Sequence, residues 1–242
     1  MIKFDSIIKV MTKKISYLVW ILVLASTCAT SPKDDSSTRF NVTENQQTEV
    51  RDTAVNSIVT GSNEVNAEYT IDNMTLSEEE KKLYVLITGY RQMNDLEKIP
   101  LSRSLSYVAQ MHCRDLVENA PDKNTCNAHS WSESEKWTGC CYTPDHKMSN
   151  CMWSKPGEMT PYQGYGFEIA CGSSEEIYKS FVMTAEYALH AWKESTGHNN
   201  VILNKENWEN LTWNAIGVGI YKGFACVWFG RETDPAGEIN ID

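Results

Sequence analysis

Two imidazoles and one carboxylate carry most of the chemical promise of this 242-residue chain. His129 lies in Asn127-Ala128-His129-Ser130, and Glu168 lies in Gly166-Phe167-Glu168-Ile169-Ala170. His198 falls within Trp192-Lys193-Glu194-Ser195-Thr196-Gly197-His198-Asn199-Asn200-Val201-Ile202-Leu203-Asn204. A fold that gathers these three around one polar cleft can bind a divalent cation or move protons near neutral pH. Two neutral histidines plus a water or a carboxylate would hold Zn²⁺ with a coordination position open, and metal-bound water ionises near pH ~7. Without metal, a Glu beside a His can work as an acid–base pair or simply fix the shape of the cleft.

Other candidates offer less. His112 falls on the apolar face of an expected helix and reads as a core histidine, while His146 and His190 read as exposed. Ser130 directly follows His129 and cannot easily present its hydroxyl to that ring. No Gly-x-Ser-x-Gly elbow occurs, which argues against a serine hydrolase. Trp131, Trp137, Trp153, Trp208 and Trp213 can line a carbohydrate or lipid groove, or supply core to a loop-rich region.

Three expected helices and three strands must position the cleft. Ser77 and Glu80 form a capping box ahead of Leu83, Leu86, Ile87 and Tyr90, predicting a helix that ends near Asn94. Ser102 caps a second helix with Leu105, Val108, Ala109, His112 and Leu116 on one face, closed by Pro121. Ser173 with Glu176 predicts a third, carrying Ile177, Phe181, Ala185, Ala188, Leu189 and Trp192, which runs to about Glu194 and is stopped by Gly197. The apolar runs 215–221 and 224–229 flank Lys222-Gly223 as a hairpin, and 166–170 reads as another short strand. Helices interspersed with antiparallel strands predict an α+β domain.

The beginning of the chain sets the compartment. Lys13 and Lys14 precede an apolar run from Ile15 to Ala25, about half the roughly 20 residues a membrane-spanning helix needs. With the small residues that follow, residues 1–27 read as a secretory signal. Leu24-Ala25-Ser26-Thr27-Cys28 resembles a bacterial lipobox, although Thr27 stands where Gly, Ala or Ser is usual. Cys28 is accordingly the candidate lipidation site; the alternative is an ordinary cleaved signal. Residues 28–76 are rich in Ser, Thr, Asn, Gln, Asp and Glu with little apolar periodicity, and read as a disordered polar linker. Residues 77–233 suit one compact domain, and 234–242 form a C-terminal tail.

The chain's net charge of −10 becomes −13 once residues 1–27, which hold four bases and one acid, are removed. That balance excludes nucleic acid as a natural partner and disfavours anionic membrane surfaces, so membrane attachment should come from the lipid alone. Beyond Cys28 stand Cys113, Cys126, Cys140, Cys141, Cys151, Cys171 and Cys226. In an exported protein these predict disulfides, at most three, with one thiol left over. Adjacent Cys140 and Cys141 should bond to different partners, bracing the irregular loop 126–151. The spacing has no Cys-x-x-Cys knuckle, which argues against a zinc–thiolate finger in that loop.

Four fragments taken together resemble the CAP superfamily (cysteine-rich secretory, antigen 5 and pathogenesis-related proteins, or SCP domains), across most of residues 78–231. The two opening helices, with Tyr90-Arg91 and the stretch from Leu101 to Leu116, resemble that family's first helices. Residues 166–170 are similar to its Gly-Glu-Asn-Ile/Leu segment, residues 192–204 to its bacterial Trp-x-x-Ser-x-Gly-His block, and Asn214 to Gly219 to the strand that follows. The resemblance implies an α-β-α sandwich whose cleft is lined by His129, His198 and Glu168, with the two histidines as metal ligands. Phe167 stands between Gly166 and Glu168 where the family has none, and Ser195, beside Glu194, occupies the place of a second acid. The implied roles are binding of a small apolar, sterol-like or lipid-like ligand, a divalent cation such as Zn²⁺, or an envelope partner, outside the cytoplasm. A metal-assisted hydrolase with Glu168 as base is the alternative.

Overall fold

The computed structural model describes residues 68–241; the signal, Cys28 and most of the linker lie outside the described residues. Helix α1 spans Glu78–Gln92, and its capping box is present: the Ser77 hydroxyl accepts from the Glu80 N–H, and Glu80 accepts from the Ser77 N–H. Helix α2 spans Arg103–Asn119, capped by Ser102 and ended by Ala120 in the left-handed region. Short helices α3 (Ser149–Trp153) and α4 (Lys155–Met159) precede strand β1 (Gly166–Cys171). Helices α5 (Ala185–Glu194) and α6 (Thr196–Ile202) follow, then strands β2 (Ala215–Tyr221) and β3 (Phe224–Gly230). Among the described residues no helix is long and apolar enough to cross a membrane.

The three strands form one antiparallel sheet in the order β1-β3-β2. Strand alternation sends successive side chains to opposite faces and so builds two cores. Ile169, Ile216, Val218, Ala225, Val227 and Phe229 meet α1, α5 and α6 on one face. Ala170, Ala215, Phe224, Cys226 and Trp228 meet α2 and the cysteine-rich loop on the other. This is the α+β fold expected, helices packed on both faces of a small antiparallel sheet.

Gly217 and Gly219 explain why α2 lies so close to β2. A Cβ on Gly217 would sit 2.0 Å from the Leu105 carbonyl carbon, and one on Gly219 would sit 2.4 Å from that of Ala109. Any side chain there would push the helix off the sheet. The segments flanking the domain's core are tied to the same helix. Asp234 accepts from the Ser102 and Ser104 hydroxyls and the Ser104 N–H, and Tyr69 donates to Gln110.

Two local expectations change. The third helix begins at Ala185 rather than after Ser173, because Thr184 supplies the N-cap, its hydroxyl accepting from the Tyr187 N–H. Ser173 instead accepts from the Glu175 N–H in a turn, and Ile177 is exposed. Gly197 does not stop the helix either. The break falls at extended Ser195, and Gly197 lies inside α6.

Candidate functional site

Glu168 reaches the α2 face because β1 alternates: Phe167 and Ile169 point into the opposite core, while Glu168 and Ala170 point towards α2. The Phe167 that departs from the family pattern packs against Trp153, Trp208 and Trp213, with ring centroids 5.3 to 5.5 Å away. It is therefore one member of an aromatic cluster and leaves the carboxylate free to face inward.

Two imidazoles divide the Glu168 carboxylate between them. His112 Nδ1 lies 2.5 Å from Oε1, and His129 Nδ1 lies 2.8 Å from Oε2. His112 Nε2 faces the Ser130 carbonyl at 2.9 Å. Both nitrogens of His112 thus meet acceptors, which only the doubly protonated ring satisfies by donating twice. Burial of this ring works against its charge, but the Glu168 carboxylate beside it outweighs that and raises its pKa above the usual histidine value. The Trp131 ring lies parallel to His112 at 4.2 Å, presenting its electron-rich face to the charged imidazole. Burial likewise pushes Glu168 towards the neutral form, yet the His112 charge and the bonds from both histidines hold it down at about 2. His112 and Glu168 form a fully buried ion pair.

The loop before α3 places His129 at the rim. Asn127 Oδ1 accepts from the His129 N–H at 3.0 Å and the Asn127 carbonyl accepts from Ser130 N–H at 2.9 Å, a tight polar turn. Disulfides Cys126–Cys141 and Cys140–Cys151 clamp the loop, so the adjacent cysteines do bond to different partners. Asp115 on α2 anchors the loop further by accepting from Ser132. His129 keeps about a fifth of its side chain exposed, at 19%.

His198 comes from α6 on the other side of the sheet and lies within electrostatic reach of both His129 and Glu168. Burial and the neighbouring His129 lower its pKa to about 4, partly opposed by Glu168. It is therefore a neutral base at physiological pH. His129 Nδ1 faces Glu168 Oε2, so Nε2 of that ring is turned away from the carboxylate. The expected trio of His129, Glu168 and His198 is thus in one neighbourhood. Ser195 is half-buried at the α5–α6 break, and Glu194 is exposed at the end of α5. No hydrogen bond ties either side chain to the trio among the described residues.

The fourth member was read from sequence as a core histidine. His112 sits on the buried face of α2 as expected, but it is the charged partner of Glu168 rather than a passive core residue. Cys226 on β3 is the fifth, its Sγ 3.7 Å from His112 Nδ1. Burial, then Cys113 and Glu168 nearby, push the Cys226 thiol well above its usual value. The Glu168 neighbourhood offers ligand atoms from His112, Glu168 and Cys226 within 4.8 Å of one another, a set able to hold a divalent metal. The signal that could have marked His112 was its place beside Cys113 on a helix face that also carries Asp115.

A separate open groove of about 970 Å³ is lined by Lys155, Tyr162, Tyr165, Phe167, Arg231 and Glu232, among others, and by none of the histidines. Its volume is no argument for chemistry, since the titratable cluster lies elsewhere. Lys155 is nearly fully buried, paired with Glu158 on its own helix and donating to the Thr138 carbonyl, so it ties the loop to that helix.

No family model and no curated protein matches this chain. Among solved structures, the fold is similar to an outer surface protein of Borrelia burgdorferi at 16% identity and a TM-score of 0.42, covering 66% of this chain and 97% of that one. It is similar also to an extracellular SCP-domain protein of Bacillus anthracis, at 17% identity and a TM-score of 0.41, over 66% of this chain and 45% of that one. A cysteine-rich secretory protein of Staphylococcus aureus matches at 13% identity and a TM-score of 0.39, over 64% and 39% of the two chains. The chain therefore spans less than half the length of the second and third of these.

Proposed function

We propose that this chain is an extracytoplasmic binding domain of the CAP type, tethered to the cell envelope through lipidated Cys28, with His129 and His198 capturing a divalent cation or the polar end of a ligand. The observation that carries the reading is the division of labour around Glu168. Its two oxygens each accept from an imidazole, so towards the rim the carboxylate orients His129 rather than meeting the rim cation itself. A carboxylate bonded to one nitrogen of a histidine fixes which nitrogen faces a metal and raises its basicity. His198, neutral beside it, supplies the second lone pair. Zn²⁺ suits two imidazoles with open positions, and Ser195 and Glu194, at the break between α5 and α6, are proposed as further polar lining. The Tyr165 and Phe167 groove offers a place for an apolar or lipid-like portion of a ligand.

The hydrolase alternative asks Glu168 to act as general base. A general base must reach the proton it abstracts directly or through one water. Glu168 has no exposed side-chain surface and both its oxygens are engaged, which favours binding over catalysis.

Calorimetric titration of the purified chain with Zn²⁺ tests the proposal. The His129→Ala/His198→Ala double variant should lose at least about tenfold in affinity, in line with what losing even a supporting metal contact costs. Unchanged binding in that variant would reject the histidine rim as the site. Intact-mass analysis of the native N-terminus tests the anchor: an acylated Cys28 is expected, and an unmodified or absent Cys28 would remove the tether.

A further inference from the structure

We propose a second, inner metal site in the core, in which His112 Nδ1, Glu168 Oε1 and Cys226 Sγ together hold one soft divalent cation of the zinc class. It is separate from the His129–His198 rim and does not rest on the reading given for that rim. The three donors come from three different elements, α2, β1 and β3, so only the folded chain assembles them. Their ligand atoms all lie within 4.8 Å of one another, with Nδ1 to Oε1 at 2.5 Å and Sγ to Nδ1 at 3.7 Å. A nitrogen, an oxygen and a thiol sulfur around one point is a donor set that zinc accepts and that magnesium or calcium does not.

The surroundings are those of a supported ligand set. The Ser130 carbonyl faces His112 Nε2 at 2.9 Å and turns the ring so that Nδ1 points at Glu168. This is how metal-bound histidines are held, with the nitrogen away from the metal donating to a carbonyl or carboxylate. The other Glu168 oxygen is fixed by His129, so Oε1 has one orientation. Parallel stacking on Trp131 removes the remaining freedom of the imidazole.

Charge counting selects a divalent ion. Without metal the cluster is an imidazolium, a carboxylate and a neutral thiol, with no net charge. With a divalent cation it becomes a neutral imidazole, a carboxylate and a thiolate around two positive charges, again with no net charge. One cation replaces the His112 Nδ1 proton and the Cys226 thiol proton, and both protons leave to solvent. A monovalent or trivalent ion would leave a net charge in a site with no exposed surface, which is costly. Cys113 stays outside the donor set, its Sγ donating to the Gly219 carbonyl at 3.4 Å. Since the site is dry, the cation enters as the chain folds. Glu168 then links the inner cation to His129, so filling the core also stiffens the rim.

The test is to unfold the full chain in urea with a chelator and no reductant, which leaves both disulfides intact, and to refold it with Co²⁺ alone. A bound thiolate gives cobalt a characteristic ligand-to-metal charge-transfer absorption. The expected result is one cobalt per chain on that absorption, retained in His129→Ala/His198→Ala and lost in Cys226→Ser with affinity reduced by about tenfold or more. Cobalt bound by the unsubstituted chain without the thiolate absorption overturns the inner site, as does an absorption that survives Cys226→Ser. The first of these needs no variant, so poor folding of Cys226→Ser leaves the outcome decisive. A Cys113–Cys226 disulfide found by mass spectrometry of the alkylated, non-reduced native chain also overturns it, because the ligand sulfur is then consumed. The rim reading fails on a different result, unchanged binding in the double histidine variant, so the two proposals stand or fall separately.

Discussion

The inner and outer halves of the Glu168 neighbourhood use the same residue types in opposite ways. Inside, His112 is fully buried, charged and locked by two acceptors. At the rim, His129 keeps some exposure and donates from one nitrogen only, while His198 is held neutral. One carboxylate separates the two behaviours, because the ring nearest to it with no access to water takes the proton. An imidazole's role is set by how many acceptors it faces and by what else has been desolvated around it, not by its being a histidine.

Breaking the shared carboxylate should have the largest effect. Glu168→Ala strands the His112 charge in the core, and removing one partner of a buried pair typically costs about 3–5 kcal/mol. Urea denaturation should report a loss of that order together with loss of rim binding; a loss under about 1 kcal/mol would mean that the pair is not ionised. Loosening the rim alone comes next. Cys126→Ser/Cys141→Ser opens a 15-residue separation, which removes about 3 kcal/mol in the loop-entropy picture. Because His129 rides on that loop and His112 does not, rim affinity should fall while the inner cobalt absorption persists. Equal loss of both would erase the distinction.

A pH series separates the halves with a smaller signal. The His198 folded value of about 4 lies below its ordinary 6.5, so the unfolded chain binds more protons between those limits. Stability should therefore decline as pH falls from about 6.5 to 4, and His198→Gln should flatten that decline. His112 has the opposite sign. Its raised value contributes stability below pH 6.5 that is lost as pH rises through the folded value. Glu168, lowered from 4.5 to about 2, contributes in full above pH 4.5 and loses that contribution as pH falls from 4.5 to about 2. An acid limb unchanged by His198→Gln would show that this ring is not desolvated. Smallest of all, His129→Ala/His198→Ala should alter stability by under about 1 kcal/mol, since neither ring is a member of the buried pair. A larger loss would make the rim structural.

Local pattern alone was sufficient for much of the fold. The Ser77–Glu80 box, the Ser102 cap and the β2–β3 hairpin are signals carried within a few residues, and each stands where it was expected. The Ser173–Glu176 pair shows the limit, since the same box motif starts no α-helix when Thr184 ahead of Ala185, Ala188, Leu189 and Trp192 offers a cap beside a face that can be buried. Capping contributes on the order of 1 kcal/mol, and burying a Trp and a Leu outweighs it.

The site was readable only in part for a related reason. Residue type and local context were enough to nominate His129, Glu168 and His198, because unusual polar residues near turns and strand starts stand out. The sequence also determined the basic-then-apolar run that reads as an export signal, an acidic balance beyond it and more cysteines than one loop can use. What it could not determine was which polar residues would lose water together. His112 has the spacing of a core position, and Cys226 has the alternation of a buried strand residue. Each is indistinguishable from a packing residue until β3 and α2 bring them to the same carboxylate. Protonation and ligand capacity depend on distances across residues 56 and 114 positions apart. Those distances are set by the tertiary fold, since Coulomb and desolvation energies act through space while sequence pattern records only neighbours along the chain.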